Sequence, residues 1–229
     1  LGHVHRAIRP SNIFFMEAAL QNLVLGNCLT SPCGFDQPIM FETIERSITS
    51  PGGRGEGDLA DDIYALGATI VLFLLGQNHL EMTGEEELLN LKLEKGSYEA
   101  ICGNATLPII FHEPLKGMLN DNVNARWGIE ELTGWVEGQQ QLPVKQVLTI
   151  HSKNPYLFEE KSFYNTRALS LFLSRHNETA LQIITDKNLI RWLRMDVKDK
   201  NMADSMATII KKDLDDNTVD FVIAKACMI

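Results

Sequence analysis

Cysteine, aromatic residues and long apolar runs are all scarce in this 229-residue chain, and each scarcity removes a class of protein. Cys28, Cys33, Cys102 and Cys227 are irregularly spaced, which excludes a disulfide framework and a paired zinc-ligand pattern and fits a reducing cytoplasm. No signal peptide is recognisable, and no apolar run reaches the roughly 20 residues that a bilayer span requires. No internal repeat of useful period occurs. Basic residues are thin in the first part. Residues 1–140 carry 8 Lys/Arg against 19 Asp/Glu, a charge of −11, whereas residues 141–229 carry 13 against 11, or +2. The acidic first part excludes nucleic acid as a partner, because phosphates need clustered Lys and Arg. The change in charge also predicts two differently built segments.

The strongest positive signal is the stretch from Asp58 to Gly76. From Ile63 to Leu75 only Thr69 and the Tyr64 hydroxyl are polar, so no face is reserved for water and the pattern predicts a buried helix. Asp58 is a candidate N-cap, Asp61 and Asp62 place negative charge on the first turn, and Gly76 is a candidate stop. Ahead of it, Ile13-Phe14-Phe15 and Leu23-Val24-Leu25 read as a β-hairpin. Residues 28–54 read mostly as loop, with a helical turn at Phe41 to Arg46. Gly84-Glu85-Glu86-Glu87 opens an acidic helix over Leu88 to Glu94 that ends near Gly96, and Ile109–Leu119 and Ile129–Val136 predict two more, with Trp127 and Trp135 in the core. A linker or strap follows around residues 139–154. Helices are then predicted at Thr166–Arg175, Glu178–Ile184, Asn188–Met195, Ala203–Lys212 and Val219–Lys225, with Asn165, Asn177 and Asp186 as caps. The basic Arg191, Arg194, Lys198 and Lys200 face solvent, an acidic partner or the chain's own acidic first segment.

Two motifs carry a resemblance. His5-Arg6-Ala7-Ile8-Arg9-Pro10-Ser11-Asn12 resembles the H-R-D-x-K-x-x-N catalytic loop of eukaryotic-type protein kinases. Asp62-Ile63-Tyr64-Ala65-Leu66-Gly67 resembles the D-x-W-S-x-G start of the same fold's large central helix, and the two stand in the family's order. On these motifs residues 1–140 are similar to a kinase C-terminal lobe in a degenerate, pseudokinase-like form, as in bacterial-type kinase-like proteins. The implied fold is mainly α: a helical C-lobe with a short β-hairpin, followed by a small helical module over residues 141–229. The resemblance begins in mid-fold. The family's Gly-rich loop and nucleotide-contacting Lys precede this point, so it implies an N-terminal lobe, or a covering segment, supplied outside these residues over an otherwise exposed apolar roof.

The resemblance also implies what is lost. The family's catalytic Asp orients the substrate hydroxyl and accepts its proton; Ala7 stands there, and a methyl group does neither. Arg9 replaces the usual Lys. Asn27 falls at the metal-binding Asp of D-F-G, and magnesium sites usually include a carboxylate. Asn12 is retained, either tying the loop through hydrogen bonds or binding metal through its carbonyl. His5 and Asp62 carry structural roles, Asp62 as acceptor for the loop's backbone; a generic first-turn charge is the other reading of Asp62. Ser50-Pro51-Gly52 falls at A-P-E, whose Glu pairs with a buried Arg. That Arg corresponds to Arg126, and with Gly52 unable to pair, Glu45 is the expected substitute, or else Glu42 or Glu56. The implied function is a catalytically inactive kinase-like scaffold acting through protein–protein contacts, with no cofactor expected. The alternatives are an unorthodox transferase using ATP and magnesium, or a structural remnant whose C-terminal helical module is the active part.

Overall fold

The computed structural model describes residues 4–17, 22–26, 33–78, 80–146, 152–212 and 219–228. In chain order these form strands β1 (Ile13–Phe15) and β2 (Leu23–Leu25), then helices α1 (Ile44–Ile48), α2 (Leu59–Leu75), α3 (Glu85–Lys95), α4 (Ser97–Cys102), α5 (His112–Met118) and α6 (Ile129–Val136). A second hairpin follows, β3 (Tyr156–Phe158) with β4 (Lys161–Phe163). After it come α7 (Thr166–Arg175), α8 (Asn177–Thr185), α9 (Lys187–Trp192), α10 (Lys200–Lys212) and α11 (Val219–Cys227). The protein is mainly helical, with two small antiparallel hairpins among the described residues. No helix among them is long and apolar enough to cross a membrane. The chain separates into two compact units, Leu1–Ile44 with Gly55–Gln146, and Glu45–Arg54 with Val147–Ile229.

The first unit is built on α2. Its start is fixed by a reciprocal capping box: the Asp58 carboxylate accepts from Ala60 N (2.9 Å) and Asp61 N (3.2 Å), while Asp61 accepts from Asp58 N (2.8 Å). Four orphan N–H groups at a helix start need such partners. Gly76 ends the helix in the left-handed conformation, at φ 67°. Ile63, Tyr64, Ala65, Ala68 and Val71 are buried against α5, α4 and the 3-10 turns Pro10–Asn12 and Ile39–Phe41. Gly67 lets α5 come close, since a Cβ there would lie 2.9 Å from Met118 Cβ. Replacing Asp58 by Ala is expected to cost about 1 kcal/mol, read as a lowered urea midpoint with unchanged slope; no change would mean the cap is already satisfied by water.

The expectation that α2 is buried all round holds only for its first part. Leu66, Ile70, Leu72, Leu74 and Leu75 are half-buried and Phe73 is 48% exposed. A helix of 17 residues is about 25 Å long and outruns the short elements packed on it. Trp127 is buried against Gly117, whereas Trp135 is half-buried beside Phe111. Helix α4 was not expected. Gly96, at φ 84°, turns the chain sharply out of α3, and the Asp121 carboxylate caps the new start by accepting from Ser97 N at 3.0 Å.

In the second unit the expected helices are present within a few residues of their predicted bounds. Asn165 accepts from Ala168 N (2.7 Å) and Asp186 from Asn188 N (2.9 Å), the two predicted caps. Asn177 is not a cap: it is the first residue of α8, and its amide donates to Asp220. Two further features depart from the sequence reading. The segment is not purely helical, since β3 and β4 pair with Tyr156 opposite Phe163. Residues 45–54 also belong here, although their place in the chain puts them with the first segment. Glu45 is gripped by the Arg167 guanidinium (Nη2 2.9 Å, Nε 3.1 Å), and Gly53 lies so close to Ala224 that a Cβ would approach its methyl to 2.5 Å.

Candidate functional site

The loop from His5 to Asn12 gathers most of the residues singled out in the sequence. Arg6 adopts φ 57°, a left-handed conformation that costs a non-glycine residue roughly 1–2 kcal/mol. What holds it is the Asp62 carboxylate, buried on the first turn of α2, which accepts from His5 N at 2.6 Å and Arg6 N at 2.8 Å. The sharp turn thus leaves two adjacent N–H groups pointing at one charged acceptor.

Side chains from three directions finish the clamp. His5 Nε2 lies 3.0 Å from Gly26 O; a carbonyl only accepts, so this nitrogen carries the proton. Asn12 Nδ2 donates to Ala7 O (3.0 Å), and Gly26 N donates to Asn12 O (2.8 Å), joining the loop to the end of β2. Gln37 Nε2 donates to Ile8 O (3.2 Å), and Arg9 Nη1 donates to Asp36 O. Asn12 therefore ties the loop through its amide. Asn27 lies outside the described residues.

Behind the loop sits an ion-pair cluster that sequence reasoning missed. Arg6 Nη2 donates to both Glu42 oxygens (2.9 and 3.0 Å), with the two side chains 2% and 0% exposed, and Asp61 Oδ2 is 3.9 Å from Arg6 Nη1. Gly57, at φ 81°, packs flat on this side chain; a Cβ there would fall 2.3 Å from Arg6 Cδ. Lys92 is fully buried and donates to Ile39 O (2.6 Å) and Glu42 O (2.7 Å), with its ammonium 5.1 Å from the Tyr64 ring. Its position was readable: residue 92 follows Leu88 by four, so it shares the buried stripe of α3. The Glu42 partnership was not readable, because nothing in the spacing joins residues 6 and 42.

Among the described residues no acid pairs with Arg126, contrary to the expectation. Its Nε donates to Asn120 O (2.9 Å) and Nη1 to Ala60 O (3.1 Å), and the guanidinium lies 5.4 Å from the Tyr64 ring centroid. Two carbonyls and an aromatic face take the place of a carboxylate. Of the three acids considered, Glu45 is engaged by Arg167, Glu42 by Arg6, and Glu56 is exposed.

Ala7 adds only a methyl group to the loop, and the His5 Nε2 proton is committed to Gly26 O. Burial pushes the thiols of Cys102 and Cys227 up to about 12, with Glu99 adding to the effect at Cys102, so neither ionises at neutral pH. No group of three or more His, Cys, Asp or Glu among the described residues is placed to hold a metal ion.

Beside the loop, the hairpin β1–β2 is apolar on both faces and uncovered. Phe14 is 52% exposed, Leu23 52%, and Phe15, Val24 and Leu25 are exposed as well, as is Met16 just beyond β1. Its cross-strand pairs are Ile13–Leu25, Phe14–Val24 and Phe15–Leu23. Single exposed apolar residues are ordinary; a contiguous set on one small hairpin is not.

No protein-family model matches the chain, and neither a curated protein nor a solved structure is significantly similar to it.

Proposed function

We propose that the chain is a catalytically inactive, kinase-like scaffold that works through protein contacts. The observation that carries this reading is the Asp62 clasp. A carboxylate on the first turn of the central helix holds the His5–Arg6 backbone, which is the role the kinase resemblance assigns to it, while the next residue, Ala7, has no proton-accepting group. The clamp therefore preserves loop shape without a base to position. The uncovered apolar hairpin beside the loop supports a role in contact, because such a surface is stabilised by covering it. Asn12 donates its Nδ2 to Ala7 O, which supports the loop-tying reading; a metal would be held through its Oδ1 instead.

A titration of the full-length protein with a fluorescent ATP analogue, with and without magnesium, tests the proposal. The expected result is no magnesium-dependent saturable binding and no transfer of phosphate or nucleotide to the chain or to added protein. Magnesium-dependent binding accompanied by transfer would overturn the scaffold reading and establish the unorthodox transferase.

A further inference from the structure

One surface stands apart from the loop and does not rest on the kinase-like reading. Helix α6 carries Ile129, Leu132 and Val136 at i, i+3 and i+7. At roughly 100° per residue these three fall within an arc of about 60°. An apolar stripe of this kind normally faces the core. Here it faces outward. Ile129 is 52% and Val136 76% exposed, and Leu132 is only half-buried. With Thr133 and Glu137 they line an open depression of about 280 Å³.

The inward contacts of α6 are made by other residues. Gly134 is buried beneath the chain that follows the helix: Gln139 N donates to Gly134 O (2.8 Å), and a Cβ at Gly134 would lie 2.6 Å from Gln141 Nε2. Trp135 rests on Phe111, with ring centroids 5.5 Å apart. The turn that carries Phe111 also exposes Ile109 and Ile110. The stripe is therefore not needed to anchor the helix.

The flanks are acidic. Glu130 and Glu137 lie on one side of the stripe and Glu131 on the other. Glu131 accepts from Gly128 N (2.8 Å) and Glu137 from Gln139 Nε2 (3.2 Å), and none of the three meets a cation among the described residues. The surroundings do not cancel this charge. Residues 104–146 hold five acids against three cations, Lys116, Arg126 and Lys145. Of these, Lys116 is paired with Glu113 (3.0 Å) and Arg126 is buried against carbonyls. The rest of the first unit has 13 Asp/Glu and 4 Lys/Arg, so the whole unit, with 18 against 7, carries −11.

We propose that this face of α6 docks an amphipathic partner helix whose apolar stripe is flanked by Lys or Arg. Its apolar side chains pack between Ile129, Leu132 and Val136, and its cations meet Glu130 and Glu137. A strand finds no edge here, because the backbone of a helix is bonded within itself. A second copy of the chain would set Glu130, Glu131 and Glu137 against their own kind, and two units of −11 repel. Anionic membranes and nucleic acids are repelled in the same way.

The test is fluorescence anisotropy on the full chain at low salt. The probe is a labelled amphipathic peptide of about 18 residues, long enough to be helical, with Leu at spacings of three and four and Lys elsewhere. Its counterpart has Glu in place of Lys. The expected result is saturable binding of the Lys peptide alone. Ile129→Gln with Val136→Gln, exposed and neutral changes checked by circular dichroism, should weaken binding at least about tenfold. Glu130→Lys with Glu137→Lys should weaken it by a similar factor and confer binding of the Glu peptide. Unchanged affinity in either variant would mean that the peptide sits elsewhere, and overturns the proposal. So does the absence of binding by about 1 mM peptide. A dimer of the chain alone in sedimentation, lost in the Gln variant, would make a second copy the occupant and overturn it too.

Discussion

Substituting Glu42 by Gln is expected to destabilise the first unit by about 3–5 kcal/mol, the cost of removing one partner from a buried ion pair. The reasoning turns on burial rather than on the pair's own attraction. Arg6 and Glu42 are 2% and 0% exposed, so water cannot replace the lost charge, and among the described residues the one carboxylate left near the guanidinium is Asp61 at 3.9 Å. Glu42 lies on a segment further fixed by Lys92, whose ammonium bonds Ile39 O and Glu42 O and stays in place when the carboxylate is neutralised. The substitution thus isolates the charge. A urea titration followed through Trp127, buried in this unit, reads the effect. The double variant Arg6→Met with Glu42→Leu should recover most of the loss, since paired buried charges exchange for apolar groups at little cost. A single-variant effect under about 1 kcal/mol would show that the pair is not formed or is hydrated.

That cluster also marks where sequence reasoning reaches its limit. The ends of α2 were legible because capping is local chemistry: Asp58, Asp61 and Gly76 act within one turn of where they sit. The helices of the second unit were legible for the same reason, each having its own stripe of apolar residues and, at Asn165 and Asp186, its own cap. The hairpin β3–β4 was missed because each strand is three residues long and its two inward residues, Tyr156 and Phe163, give no period to read. The grouping of residues 45–54 with the second unit rests on Glu45 meeting Arg167, 122 positions away, which no local pattern encodes.

At the candidate site the division is similar. The meeting of His5, Arg6 and Asp62 was reached through a resemblance and not through spacing; periodicity alone leaves Asp62 as an ordinary first-turn charge. Arg126 shows the opposite failure. The analogy demanded a carboxylate, and the chain satisfies the guanidinium with Asn120 O, Ala60 O and the Tyr64 ring. A buried cation needs acceptors, and backbone carbonyls serve in place of an acid when part of the charge still reaches water. Arg126, at 9% exposure, meets that condition where Arg6 at 2% does not.

Asp62→Ala should be the other large effect, at about 3–6 kcal/mol, because hydrogen bonds to a charged acceptor are worth roughly 1.5–3 kcal/mol each and a buried and a half-buried donor lose theirs together. The comparison that makes this specific is with Asp58. Both are acids at the start of α2, yet Asp58 is exposed and caps its own helix, whereas Asp62 points inward to another segment. If Asp62 were only a favourable first-turn charge, its loss would cost no more than about 1 kcal/mol, and the two variants would be alike. Asp62→Asn should fall between wild type and Ala, since one amide oxygen replaces one of two acceptors and the NH2 group is set against a second donor. Hydrogen exchange at the His5 and Arg6 amides provides the local readout. With the acceptor gone, Arg6 is free to leave φ 57°, and both amides should lose protection while those of α7 to α11 keep theirs. Retained protection at His5 and Arg6 in Asp62→Ala would mean that the Arg6–Glu42 pair and the other loop bonds hold this turn without Asp62. The carboxylate would then not be the grip of the central helix on the segment whose shape the proposed function requires.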